Sequence, residues 1–318
     1  MDYGVRLTIQ GEMGAPGSQL ADYAMTMGMR ADELGYATAW IPDHLNNARV
    51  GPGQKGPSLE CFTSIAAILM KTSRITIGPH VYCNTFRNPA LLAKMIATLD
   101  EFSKGRTLLS LGGGWFEEEA VSQGFSWDAH DPRMHAVKEA TALIKRLWTE
   151  DNVTFAGEYY RYKDAYQLPK PYSKPHPPIW TPGESAIARE IVCQSGDYWL
   201  IYSKPPEVMA KLKDSIIKQA GRDIKLAASA VFISDYDDDK MLSLAKNFLK
   251  EREHRFKVKP TLENILSHNI IGDLATCRKQ VKAYAEAGVD HLIIQPMPPK
   301  EGMELFAAEI MPRAGVTA

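Results

Sequence analysis

Short apolar runs alternate with longer amphipathic stretches along most of the chain. The runs at residues 5–9, 38–41, 75–81, 107–111, 178–181, 198–201, 226–233 and 291–295 are rich in Val, Ile, Leu and Ala and are bounded by polar or glycine-containing turns. Runs of this length fit strands buried on both faces, as in a parallel sheet covered by helices. Stretches at 19–34, 59–71, 89–103, 133–148, 185–194, 206–220, 239–256 and 275–287 carry apolar residues at helical spacing. Several of these helices stop at glycine, as in Leu34-Gly35, Lys104-Gly105 and Ala287-Gly288. Eight strands alternating with helices predict an α/β fold, a (β/α)8 TIM barrel. A doubly wound open sheet is the alternative, but it needs a reversal of strand order that the pattern does not display.

Two stretches exceed a minimal barrel, so the reading is one domain over 1–318 with insertions near 151–178 and 234–270. The first contains a hairpin pattern around Gly157 and a proline-rich tail that disfavours helix. The second includes a polar excursion at 257–269 before the last helical stretch. Each is read either as a lid over a site or as a surface ornament.

Composition narrows the partners. The formal net charge is −1, with acids and bases interspersed, which argues against nucleic acid. The four cysteines, Cys61, Cys83, Cys193 and Cys277, have no paired spacing, so neither a zinc knuckle nor a disulfide framework fits. The longest apolar run, 65–70, is too short to span a bilayer, and the first residues do not read as a signal peptide. A soluble cytoplasmic protein acting on a small molecule is expected.

A barrel places its chemistry at the C-terminal ends of the strands. Read that way, the first strand is followed by Gln10 and Glu12, and the second by Pro42-Asp43-His44. The third ends at His80-Val81-Tyr82-Cys83-Asn84. The fourth runs into Gly112-Gly113-Gly114-Trp115 and then Glu117-Glu118-Glu119, where missing Cβ atoms would let a ligand approach the backbone. After the fifth, Gly183-Glu184-Ser185 opens a helix, a place suited either to a phosphate or to ordinary capping. His44 can exchange a proton near neutral pH, and Asp43 can fix a turn or support a neighbour. Metal-site spacings, a G-x-S-x-G elbow and a phosphate-binding P-loop are missing, so no catalytic metal is expected. A wide apolar mouth with glycines, aromatics and a phosphate-ready helix suits a planar redox cofactor.

The chain at this point resembles the bacterial luciferase-like flavin or deazaflavin oxidoreductases over nearly its entire length. The marks are Ala39-Trp40-Ile41-Pro42-Asp43-His44, Pro57-Ser58-Leu59-Glu60-Cys61-Phe62, the segments 84–94 and 98–106, Gly112-Gly113-Gly114-Trp115-Phe116, and Pro177-Pro178-Ile179-Trp180. The pattern is most similar to the F420-dependent subgroup. The resemblance implies a barrel with a tricyclic ring at its C-terminal mouth and a non-proline cis peptide, here His80–Val81. It also implies that Cys83 and Asn84 lie near the polar edge of the ring. Gly112 and Gly113 then pass close by, and Gly183, Glu184 and Ser185 meet a phosphate. Asp43 matches an Asp-His pair of the deazaflavin-dependent glucose-6-phosphate dehydrogenases. The acid that those enzymes and the methylene-tetrahydromethanopterin reductases carry after the fourth-strand glycines is Trp115 here. A tryptophan there resembles the monooxygenase-like members, and Glu118 is the candidate to substitute for the acid.

The resulting expectation is hydride transfer between coenzyme F420 and a small organic substrate. His44 is the first candidate for proton transfer, Glu12 and Glu118 are the second, and Trp115 walls the pocket. An FMN-dependent monooxygenase is the nearest alternative. A non-catalytic flavin-binding protein and a metal-dependent barrel hydrolase are rivals from other classes. Apolar helix faces allow a homodimer.

Overall fold

The computed structural model describes residues 1–10, 19–46, 56–252 and 261–311. Glu12, one of the candidates for proton transfer, lies outside them. The apolar runs form strands β1 (Asp2–Arg6), β2 (Thr38–Ile41), β3 (Thr76–Pro79), β4 (Tyr82–Cys83) and β5 (Leu109–Gly112). A hairpin, β6 (Val153–Ala156) and β7 (Arg161–Ala165), precedes β8 (Ile179–Pro182) and β9 (Tyr198–Tyr202). The series ends with β10 (Lys225–Ile233), β11 (Ile270–Ile271) and β12 (His291–Pro296). Helices α1 (Leu20–Glu33), α2 (Cys61–Leu69), α3 (Pro89–Ser103), α4 (Glu117–Ser122) and α5 (His130–Thr149) alternate with the earlier strands. They are followed by α6 (Ala186–Ser195), α7 (Pro206–Ala220), α8 (Asp238–Arg252), α9 (Leu262–His268), α10 (Leu274–Glu286) and α11 (Pro299–Glu309).

The strands run in the order β3-β2-β1-β12-β10-β9-β8-β5-β4, and every neighbouring pair is parallel. Ile77 N–H donates to Arg106 O at 3.0 Å, and a parallel bridge joins Ile77 to Thr107, so the ring is nearly closed. β3 and β4 are two halves of one barrel strand, separated by the cis peptide His80–Val81. This ring excludes the open doubly wound sheet, whose ends would stay unpaired.

Alternate strand residues face inwards, as the strand period requires. Trp40, Leu108, Trp180, Leu200, Ala227 and Ile293 pack inside the barrel, while the opposite faces pack on the helices. Trp180 stacks on Tyr198 with ring centroids 3.8 Å apart and meets Trp40 edge-on at 4.7 Å. His291 lies beside them, its Nε2 2.8 Å from Thr38 Oγ1. Burial pushes the His291 pKa down to about 3, helped by the nearby N-terminus and Lys225. These bulky groups fill the barrel towards its N-terminal end, and the cavity opens at the C-terminal end.

The two insertions differ in what they do. The hairpin forms around Gly157 as its pattern predicts. It is fastened to the barrel flank because Glu139 on α5 accepts the backbone N–H groups of Glu158, Tyr159 and Tyr160 at 2.8–3.1 Å. Between β10 and β12 the described residues form three helices, α8, α9 and α10, where the pattern predicts two. The excursion read as polar contains α9, whose Ile265 is buried against Phe248 and Ile233. A seven-residue helix is too short for its periodicity to show. The helix after the last barrel strand is α11, begun by Pro299 at its first turn, and it lies beyond the predicted helical stretches.

Candidate active site

The C-terminal mouth holds a cavity of about 690 Å3. It takes Arg6, His44, His80, Val81, Gly183 and Gln295 from the ends of separate strands, and Phe248, Ile265, His268 and Asn269 from the second insertion. No residue of 151–178 lines it, so the first insertion is not its lid. Both α8 and α9 cover it instead.

Asp43 and His44 leave β2 in different directions. The Asp43 carboxylate accepts Cys83 N–H at 2.9 Å and takes both terminal nitrogens of Arg87, at 2.6 and 2.8 Å. Arg87 also reaches Glu60 at 2.5 Å and covers the Tyr82 ring. Burial works against the Arg87 charge, but the Asp43 carboxylate outweighs it and holds the guanidinium well above its ordinary pKa. Asp43 therefore braces β4 against β2, and its oxygens are spent on that task.

His44 Nδ1 lies 2.8 Å from Glu119 Oε2, and the other oxygen of Glu119 accepts the N–H groups of Leu45 and Asn46 at 2.7 and 2.8 Å. With two amides already donating to it, the carboxylate is the acceptor towards the ring. Nδ1 then carries the proton, and Nε2 is the atom left for the cavity. Glu119 is 3% exposed, whereas Glu118 is exposed on the outer face of α4, away from the cavity lining. The acid brought to His44 is thus Glu119 and not Glu118. The one sequence signal is a spacing of three residues from Phe116, which sets Glu119 one helical turn along the same face.

Trp115 sits at the rim, 60% exposed, edge-on to His44 at 5.6 Å and stacked on Phe116 at 5.2 Å. His80 and Val81 line the cavity at the cis bond. Cys83 also lines it, and burial pushes its thiol up to about 11, which keeps it protonated and poorly nucleophilic. Asn84 turns away: its amide donates to Tyr160 OH at 2.8 Å, and it faces a side cleft instead.

The fourth-strand glycines answer to protein neighbours rather than to the open cavity. A Cβ at Gly112 would come within 3.0 Å of Val81, and one at Gly113 within 3.1 Å of Met134. Neither lines the cavity. Gly114 does, with φ +75°, and a Cβ there would approach the Cys83 sulfur to 2.7 Å and Trp127 to 2.9 Å. The need for glycine is therefore the close passage of β5 past Val81 and past α5.

At the third corner, Gly183 and Glu184 line the cavity, with Gly183 at φ +99°. Glu184 pairs with Lys204 Nζ at 3.1 Å. The Ser185 hydroxyl caps α6 by accepting Ala188 N–H at 3.2 Å, which is the capping role of the two foreseen for it. Arg6 and Lys204 are cavity residues that sequence reasoning missed, since nothing in their neighbours marks them, and Gln295 was read as a polar group at the end of the last strand with no role assigned to it. Among the described residues, no cluster of His, Cys, Asp or Glu could hold a metal ion.

The residues fit a planar ring. A volume of about 690 Å3 lies in the range of cofactor pockets. One wall is the His80–Val81 bulge, the cover is aromatic and aliphatic, and the start of α6 stands at the edge.

Comparison with known proteins agrees with this geometry. Residues 1–291 match the model of the luciferase-like monooxygenase family. An FMNH2-dependent dimethylsulfone monooxygenase of Pseudomonas putida is 27% identical over 284 residues, covering 80% of this chain and 78% of that protein. An F420-dependent glucose-6-phosphate dehydrogenase of Amycolatopsis mediterranei (strain U-32) is 28% identical over 301 residues, covering 86% and 87%. Among solved structures, an F420-dependent secondary alcohol dehydrogenase in complex with an F420-acetone adduct superposes with a TM-score of 0.79 at 20% identity, covering 97% of this chain and 98% of that one. The fold and site define an oxidoreductase barrel. The chain belongs to the luciferase-like monooxygenase family, whose members similar to it use either FMN or F420.

Proposed function

We propose that this chain is an oxidoreductase that transfers a hydride between coenzyme F420 and a small organic substrate in the cavity at the barrel mouth. The observation that carries the reading is the buried Glu119–His44 pair. Glu119 fixes the ring orientation and the Nδ1 proton, so Nε2 can take the proton of a substrate hydroxyl or, once protonated, return it to a carbonyl oxygen. The His80–Val81 bulge and Gly183 would hold the cofactor, which supplies the hydride when bound. Trp115, Phe116 and Phe248 exclude water around the reacting atoms.

The second reading, an FMN-dependent monooxygenase, is favoured by Trp115, which replaces the acid at its position, and by the 27% identical relative. Titration with F420 and FMN, followed by assays with secondary alcohols, aldehydes and ketones and by oxygen uptake, separates the two. Tight F420 binding with substrate-dependent change in its absorbance is the expected outcome. Preferential FMN binding with oxygen uptake overturns it. His44→Ala should lower any turnover by about 10²–10⁴-fold, the usual worth of a positioned acid–base group. Unchanged turnover would mean that His44 has no such part.

A homodimer is part of the same proposal. It is supported by exposed Leu91 and Phe102 on α3 with Tyr166 and Leu168 beside the hairpin segment. Light scattering should give twice the chain mass, and Phe102→Glu should shift it towards one.

A further inference from the structure

Gln295 ends β12 and faces the cavity floor beside Arg6, with Ser229 on the neighbouring strand β10. It is 8% exposed. Arg6 Nη1 donates to Gln295 Oε1 at 2.8 Å. A guanidinium only donates, so the amide atom facing it must be the oxygen, since a flipped amide would set donor against donor. The amide NH2 group therefore points away from Arg6. Its nitrogen is buried and has no hydrogen-bond partner among the described residues.

Buried amide donors are nearly always matched, and one left unmatched in a cavity wall calls for an acceptor from outside the protein. The cavity's carboxylates do not supply it. Asp43 is taken by Arg87, Glu119 by His44 and the Leu45 and Asn46 amides, and Glu184 by Lys204.

We infer that Gln295, oriented by Arg6, forms a subsite for an electron-rich carbonyl-type oxygen of a bound organic molecule. The inference rests on the reading of this cavity as the ring and substrate site. The oxygen belongs either to an imide edge of the cofactor ring or to a carboxylate or carbonyl of the substrate, and the two sources are separable.

Two variants test the subsite. Gln295→Met keeps the length and removes both polar atoms. Gln295→Glu keeps the shape and an acceptor for Arg6 but replaces the NH2 group by oxygen. Both are checked for folding by circular dichroism and thermal denaturation. Dissociation constants for FMN, F420 and benzoate are then read from ligand fluorescence or from quenching of protein tryptophan fluorescence. Both variants should weaken at least one probe by about tenfold, the loss expected for a hydrogen bond to a charged or strongly polar group. Weakened FMN or F420 places the oxygen on the ring, while weakened benzoate with unchanged ring binding places it on the substrate. The inference falls if no probe that binds the wild type is weakened by both variants, or if the wild type binds none of the three. The wider reading fails separately. Benzoate binding that depends on Gln295, with no ring bound by the wild type, would keep the subsite and remove hydride transfer. Ring binding and turnover indifferent to Gln295 would do the reverse.

Discussion

Single side chains carry much of what can be checked here. Glu119→Gln should keep the contacts to the Leu45 and Asn46 amides through its remaining oxygen and lose the carboxylate facing His44. Turnover should fall by about 10–100-fold, the worth of a hydrogen bond to a charged group, with a changed pH profile that a purely structural loss would not produce. His291 gives a stability prediction whose sign follows from its environment. Its folded pKa is about 3, below its ordinary 6.5, because burial disfavours the charged ring. Between those values the unfolded chain binds a proton that the folded chain does not. Its contribution is therefore fully present above pH 6.5 and is lost as the pH falls towards 3, by on the order of 1 kcal/mol per pH unit. Urea denaturation at pH 7, 6 and 5 should show the decline, and His291→Asn should flatten it. His44 was legible as chemistry because an Asp-His pair follows a strand, whereas Glu119 was one of three consecutive acids and only its helical phase set it apart. Gln295 was legible only as a polar residue at the end of the last strand, since its significance comes from Arg6, which is 289 positions away in the chain.

Elements were more legible than side chains. All eight apolar runs contribute to barrel strands, because a strand buried on both faces reads as a near-continuous apolar run, and the run at 65–70 fell in α2, where the helical spacing over 59–71 set it apart. What escaped was the six-residue α4, the seven-residue α9, the eleven-residue α11 past the last strand, and the split of the third barrel strand into β3 and β4. The hairpin's attachment was also invisible, because it depends on Glu139 from another element. A Cβ at Gly157 would sit 2.2 Å from Glu139 Oε2. Gly157→Ala and Glu139→Ala should both speed amide hydrogen exchange across residues 153–165. Cofactor binding should change little in either, since the hairpin lies outside the cavity lining. Exchange unaltered in both variants would mean that the clasp does not hold the hairpin.

For the molecule as a whole, the barrel was readable from the count and order of its strands, and its family from a handful of motifs. The substrate was not, because the cavity is covered by α8 and α9, whose apolar residues are patterned by their packing on one another. Among the described residues, no helix is long and apolar enough to cross a membrane. The barrel interior should behave as one cooperative unit. Trp180→Ala removes one of the two tryptophans packed inside the barrel and should cost about 3–5 kcal/mol, measurable as a lower denaturation midpoint.

The aromatic layer of Trp40, Trp180 and Tyr198 has a consequence for traffic as well as for stability. With that end filled by side chains, a molecule held in the cavity would come and go through the mouth. An occupant nearer the rim would then delay the escape of one beneath it.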